Sequence, residues 1–556
     1  MNSCNPGNPL IIQGDHTVLV EVDNPHYGQV RNGLVRFAEL VKSPEHIHTY
    51  RITPLSIWNA CAAGVSPDFV ASILTGYSKY PVPEHVLSEM RDYASRYGRL
   101  KLVRRGNDLV LCADDAPLAE EISRNRHVIP FLGARPDPRS FLVAPKDRGC
   151  LKQVLIKAGF PVEDLAGYVD GEPLAFDILD VTKQGAPFGL RGYQRESAAA
   201  FHASGAARGG SGVIVLPCGA GKTMVGMACM AGLQCSTLIL ATNVTAVRQW
   251  IAELLDKTSL RGEQIGEYTG AKKEIRPVTV STYQIMTHRG SREEDFRHLE
   301  LFNKRNWGLV IYDEVHLLPA PVFQITAGLQ ARRRLGLTAT LVREDNREDD
   351  VFALIGPKKA DIPWKELEGQ GWIAKARCTE IRVPLPENIR MHYAVSDPRE
   401  QFRIASENPD KTEIVRRLVG KHRGERILII GMYVHQVKAM AEALGVPHLT
   451  GATAQAKRDR MFDDFRSGRI GVLSVSKVAN FSVDLPDASV AVQVSGMFGS
   501  RQEEAQRLGR ILRPKSWGNQ AHFYTLVSHD TREQEFAMKR QLFLCEQGYE
   551  YHIESV

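Results

Sequence analysis

The sequence predicts an α/β fold: two parallel-sheet lobes preceded by an α+β N-terminal accessory region. Two observations carry this. Short apolar, β-branched runs alternate with helical segments between Val213 and Leu337, and the rhythm returns after residue 425. Strands apolar on both faces are the ones that helices cover on both sides. In addition, a chain of 556 residues is too long for one core and calls for about three domains.

The elements follow in order. Residues 1–129 mix short strand candidates (Leu10–Ile12, Thr17–Val22) with helical patterns (Pro54–Ala62, Pro67–Leu74, Pro83–Tyr97). A strand pair, Leu100–Val103 and Leu109–Cys112, turns around Gly106-Asn107. Helices ending in a small hairpin suggest a winged-helix-like module; a plain α+β accessory domain is the alternative. Residues 130–185 read as a second small α+β module with its own helix at Cys150–Ala158, and Gly185-Ala186-Pro187 punctuates the chain. Residues 186–385 form the first lobe, with strands at Val213–Leu216, Leu238–Ala241, Val278–Ser281, Leu309–Tyr312 and Leu335–Leu337. Residues 386–556 form the second, with strands at Ile427–Ile430, Ile470–Val475, Val490–Val494 and Phe523–Val527.

Composition excludes several classes. The nine cysteines are scattered without a CxxC pair, which argues against a zinc ribbon, an iron–sulfur pattern or a secreted disulfide framework and for the cytoplasm. The N-terminus has no basic region followed by an apolar run, so no signal peptide is expected. Thr223 to Val247 carries no charge and is long enough to span a bilayer, but it splits around Gly232 into a helical and a β-rich half; a buried helix–turn–strand is expected, and no membrane association. Net charge is −2 over residues 1–185, +5 over 186–385 and +3 over 386–556. That permits a nucleic-acid partner without demonstrating one.

The chemistry starts at Val213–Thr223, a strand, a Gly-containing turn and a helix start. Backbone N–H groups approach a phosphate only where side chains are small, and Gly219, Ala220 and Gly221 allow it; Lys222 adds a mobile charge and Thr223 a hydroxyl for Mg²⁺. Leu216 stands where the GxxxxGK[ST] pattern begins with Gly. The apolar strand 309–312 ends in Asp313-Glu314-Val315-His316. A carboxylate at such a strand end lies where α/β sheets bind ligands. Asp313 can hold Mg²⁺ and Glu314 can deprotonate the attacking water; an acidic strand end capping a helix is the alternative. Thr338 and Thr340 flank Ala339 after another strand and could report the state of the site. In Gln506–Arg513, a helix would place Arg510 and Arg513 on one face, able to neutralise charge on a transferring phosphoryl group; a solvated basic face is the alternative.

These residues, in this order, resemble superfamily 2 helicases, and among them the XPB family (xeroderma pigmentosum group B type) in its bacterial form. Leu190–Gln194 is similar to the adenine-side motif, with Arg191 and Gln194, and LPCGAGKT (216–223, including Cys218) to motif I. Arg248-Gln249-Trp250 and Ser281–Gln284 resemble motifs Ia and Ib, DEVH (313–316) motif II and LTAT (337–340) motif III. Arg343-Glu344-Asp345 resembles a strand-separating element, 474–488 motif V and QRLGRILR (506–513) motif VI. Motif V has Ala479 and Asn480 where the family carries a Gly and an acidic residue, but keeps Asp484 on the nucleotide side.

The resemblance covers residues 186–556 and implies RecA-like lobes, ATP and Mg²⁺ as cofactors, and DNA (single strand and fork or bubble duplex) as substrate. It implies 3′–5′ polarity, a role in nucleotide excision repair or duplex opening, a nuclease partner, and a cytoplasmic protein that joins the nucleoid when on DNA. It places Thr242, Arg248, Thr282, Ser476, Arg343, Glu344 and Asp345 against DNA, and His316, Thr338, Thr340 and Gln506 in coupling. A helical thumb is expected near 391–420, where Arg399, Arg403, Lys411, Arg416, Arg417 and Lys421 could grip a backbone or form a solvated face. A translocase that moves on duplex without separating strands is a rival, as is a scaffold with a degenerate nucleotide site, against which the intact Lys222, Thr223, Asp313, Glu314, Arg510 and Arg513 argue.

Overall fold

The computed structural model describes all residues except 1–3, 43–45, 207–208, 218, 288–297, 299–300, 303, 320–321, 323–325, 327–331, 340–347, 363, 373, 477–487, 497–519, 547–548 and 550. The chain packs as two compact units. One comprises residues 1–39, 49–216 and 221–362; the other comprises 40–48, 217–220 and 363–556.

The first unit holds a seven-stranded sheet. Its strands are β1 (Ser211–Val215), β2 (Thr237–Ala241), β3 (Ile265–Tyr268), β4 (Val278–Thr282), β5 (Leu309–Asp313), β6 (Arg333–Thr338) and β7 (Lys358–Asp361), ordered β3-β4-β2-β5-β6-β1-β7 with every pair parallel. All residues of β1, β2 and β4 are buried, as a parallel sheet between helices requires. Helix α1 (Gly192–His202) precedes β1, α2 (Lys222–Leu233) follows it, and α3 (Val244–Lys257) follows β2. Asn243 caps α3, its Oδ1 accepting from the Ala246 N–H at 2.9 Å. Helix α2 stops at Gln234, held at φ 51° where glycine is usual. The Gln234 side chain compensates, donating to the Phe176 and Ala231 carbonyls and accepting from the Phe176 N–H. The uncharged stretch 223–247 is therefore a helix, a turn and a strand, and among the described residues no helix is long and apolar enough to cross a membrane.

The second unit repeats the plan. Strands β8 (Lys375–Val383), β9 (Ile427–Ile430), β10 (His448–Leu449), β11 (Val472–Val475), β12 (Val490–Gln493), β13 (Gln520–Ser528) and β14 (Tyr551–Ser555) form an all-parallel sheet ordered β10-β11-β9-β12-β13-β8-β14. Three helices, α4 (Glu387–Val395), α5 (Pro398–Ser406) and α6 (Lys411–Lys421), cover the segment where a thumb is expected. One of its basic residues needs correction. Lys411 is wholly buried and pairs with Glu533 of α7 (Arg532–Glu546), so it cannot grip a backbone.

Ahead of the lobes, the strands Leu100–Arg105 and Asp108–Ala113 form the expected hairpin. They share one sheet with Ser140–Val143 and Val162–Asp164, and one apolar core runs from Leu100 to Ala166. A boundary at residue 130 therefore falls between strands of a single sheet, because that sheet buries its face with helices from both sides of the cut. This module meets the first lobe through a buried cluster: Asp164 accepts from Arg148 and Lys152, and Arg334 of β6 lies with Arg148 against the Tyr168 ring.

Candidate nucleotide site

A parallel sheet gathers its ligand-binding residues at the carboxyl ends of its strands, and the register does so here. Ala241 pairs with Thr282, Asp313 with Leu337, and Thr338 with Val215. Thr242, Thr282, Asp313, Thr338 and the turn leading to Lys222 therefore share one edge.

In the turn, Gly219 and Gly221 have φ of 83° and 84°, conformations that present consecutive N–H groups and that side chains resist. A Cβ on Gly221 would also stand 2.6 Å from Gln194 Nε2, so Gln194 rests directly on the helix start. Gln194 is buried, and its Oε1 accepts from the Arg191 N–H at 2.9 Å. Arg191 donates to the Tyr193 hydroxyl at 3.1 Å.

Lys222 Nζ is ion-paired with Glu314 Oε1. Glu314 lies in the left-handed region, φ 52° and ψ 56°, a costly conformation for glutamate of the kind that accumulates at working sites. Its Oε2 is buried, accepts no hydrogen bond from a described residue, and lies 3.5 Å from His316 Nδ1. Burial favours the protonated acid, but Lys222 and then His316 outweigh it and hold the Glu314 carboxyl below its ordinary value. Asp313 moves the other way, up to about 6, through burial and the neighbouring Glu314 charge, against the pull of Lys222 and Trp250. His316 Nδ1 lies 2.6 Å from Thr338 Oγ1, and the Thr338 carbonyl accepts from the Leu216 N–H at 2.9 Å. Motifs I, II and III are thus joined through hydrogen bonds.

Sequence reasoning gave Trp250 no role. Its Nε1 donates to Asp313 Oδ2 at 2.9 Å, and the Tyr283 hydroxyl donates to the Asp313 carbonyl at 3.0 Å. The available signal was an indole on the buried Val247/Trp250/Leu254 face of α3, since a buried indole N–H needs an acceptor. The Glu314 backbone N–H is a further donor to the Asp313 carboxylate. With the Thr223 hydroxyl at the head of α2, that carboxylate supplies the hard oxygen donors that suit Mg²⁺. Among the described residues no cluster of three or more His, Cys, Asp or Glu could hold a metal by itself.

The DNA-side candidates divide. Arg248 is exposed on α3 and Thr242 is half-buried. Thr282 is buried, its hydroxyl accepting from the Ile285 N–H at 3.3 Å, and Ser476 is buried in the second unit. Cys218, Thr340, Arg343, Glu344, Asp345, Asp484, Gln506, Arg510 and Arg513 lie outside the described residues.

Fold and site together define a helicase-type motor built from two RecA-like lobes. Family comparisons agree. The ERCC3/RAD25/XPB C-terminal helicase family matches residues 367–555, the type III restriction enzyme res subunit family residues 187–343, and a helicase conserved C-terminal domain residues 10–137. Proteins named DNA 3'-5' helicase XPB from Kineococcus radiotolerans and Mycobacterium tuberculosis are each 54% identical over 98% of this chain and 96% and 97% of their own. The Saccharomyces cerevisiae general transcription and DNA repair factor IIH helicase/translocase subunit XPB/SSL2 is 31% identical over 98% of this chain and 72% of its own. Among solved structures, the DNA-bound ATP-dependent Type ISP restriction-modification enzyme LlaBIII matches with a TM-score of 0.50 and 13% identity, covering 67% of this chain and 31% of that one, a likeness of fold. The chain belongs to the XPB helicase family.

Proposed function

We propose that this chain is an ATP-dependent 3′–5′ DNA helicase that couples hydrolysis to strand separation and serves nucleotide excision repair. The observation that carries the reading is the joined Lys222–Glu314–His316–Thr338 constellation in a chain 54% identical, end to end, to named DNA 3'-5' helicases.

Entering phosphates take Lys222 from Glu314. The released carboxylate, whose Oε2 already lacks a partner among the described residues, orients and deprotonates water. Thr223 and Asp313 would hold Mg²⁺, which would supply charge neutralisation for the phosphates. Arg191 and Gln194 hold the adenine side and Asp484 the nucleotide, with Cys218, Gly219, Ala220 and Gly221 around the phosphates. Arg510 and Arg513 neutralise the transferring group. His316, Thr338, Thr340 and Gln506 couple this chemistry to DNA contacts at Thr242, Arg248, Thr282 and Ser476, with Arg343, Glu344 and Asp345 at the strand junction. Thr282 and Ser476 are buried, so backbone at those positions makes the contact. A nuclease partner, a cytoplasmic location and nucleoid association on DNA complete the proposal.

Lys222→Ala is the test. It should abolish DNA-stimulated ATP hydrolysis and forked-duplex displacement while leaving DNA binding largely intact. Unchanged turnover defeats the reading.

A further inference from the structure

We propose that Trp250 positions the Asp313 carboxylate and transmits strand engagement along α3 to the nucleotide motifs; the second half rests on the helicase reading above. One indole touches both motifs. Trp250 is 2% exposed and its Nε1 donates to Asp313 Oδ2. Its far edge lies against Gly226 of α2, where an added Cβ would fall 2.5 Å from Cη2. Helix α2 is the one that opens with Lys222 and Thr223. The Tyr283 bond holds the Asp313 main chain, and beside the Glu314 backbone N–H the indole is the side-chain donor that directs the carboxylate. With Oδ2 occupied, Oδ1 is the oxygen presented to a cation. Outer hydrogen bonds of this kind orient metal ligands.

The same helix has a second face. Val244, Thr245, Arg248 and Gln249 are exposed, while Val247, Trp250 and Leu254 are buried. A helix moves as a rigid element and a close-packed interior passes displacement on. A strand gripped at Arg248 therefore moves the indole against α2 and Asp313 together. The absence of a side chain at Gly226 lets the ring seat.

The test uses the full chain and a fluorescent ADP analogue titrated with Mg²⁺. Trp250→Phe keeps an apolar ring and removes the N–H. The Mg²⁺ concentration for half-maximal binding should rise about tenfold to a hundredfold, with the metal-free affinity and the thermal midpoint little changed. Single-stranded DNA, which should shift that Mg²⁺ midpoint in the natural protein, should no longer do so. Gly226→Ala, which keeps the N–H and displaces the ring, should move the midpoint in the same direction. The tryptophan emission change on adding Mg²⁺ and ADP to the natural protein should be absent from Trp250→Phe. An unchanged Mg²⁺ midpoint in Trp250→Phe overturns positioning, and a retained DNA shift overturns transmission. If DNA fails to stimulate hydrolysis in the natural protein, the helicase reading falls, while the Mg²⁺ midpoint still decides positioning.

Discussion

Each lobe buries a lysine against a glutamate, and the two pairs differ in how completely their atoms are engaged. In the second lobe, Lys411 and Glu533 are 0% exposed. Lys411 Nζ donates to both Glu533 oxygens and to the Val494 and Ser406 carbonyls, and Glu533 Oε2 also accepts from the Ser528 N–H. In the first lobe, Lys222 and Glu314 keep 12% and 16% exposure, and Glu314 Oε2 accepts nothing from a described residue. A saturated pair holds helices and strands together. A pair with spare capacity is ready to exchange partners. The same two residue types form a fully engaged pair in one sheet and a pair with an unengaged carboxylate oxygen in the other.

Five variants press on that contrast. Glu314→Gln should lower DNA-stimulated kcat by about 10²–10⁴-fold, with nucleotide binding and thermal midpoint retained; a normal rate in steady-state hydrolysis would make the first pair as structural as the second. Lys411→Ala should destabilise the protein by about 3–5 kcal/mol in denaturant unfolding, because it strands the Glu533 carboxylate. Lys411→Met combined with Glu533→Leu should recover much of that loss, which an essential charge would not permit. Thr338→Val removes the hydroxyl beside His316 and should cost about 1 kcal/mol, read as a several-fold fall in DNA-stimulated over basal hydrolysis. Arg403→Ala sets the lower end: this half-exposed guanidinium pairs with Glu400 and Glu407 on the surface of α5, and its loss should change stability by less than about 1 kcal/mol.

The central strands were legible because burial on both faces removes polar residues from them, as in Leu309–Tyr312 and Ile427–Ile430. Among the described residues of the two lobes, five strands left no such trace. Four of them, β3, β7, β10 and β14, are the sheet edges. Edges carry charges that discourage pairing with other chains, as in Lys358-Lys359 of β7 and the half-exposed Tyr551–Ser555. The fifth, β8, interleaves Lys375, Arg377, Glu380 and Arg382 with buried apolar residues. At the site, Lys222, Asp313 and Glu314 were legible through their spacing from strand ends. The left-handed backbone at Glu314 and the Trp250–Asp313 bond were not, since the first is a conformation no residue type announces and the second joins residues 63 apart.

The Lys222–Glu314 contact also sets a ceiling. Under the proposed function an entering triphosphate undoes it before docking, so part of the gross attraction is spent on that exchange and the net affinity stays moderate. When the spent nucleotide departs, the lysine has somewhere to return, which speeds ejection. For a machine that must empty its site at every step, weak retention of the product is a requirement, and one ammonium with two alternative carboxylate or phosphate partners supplies it.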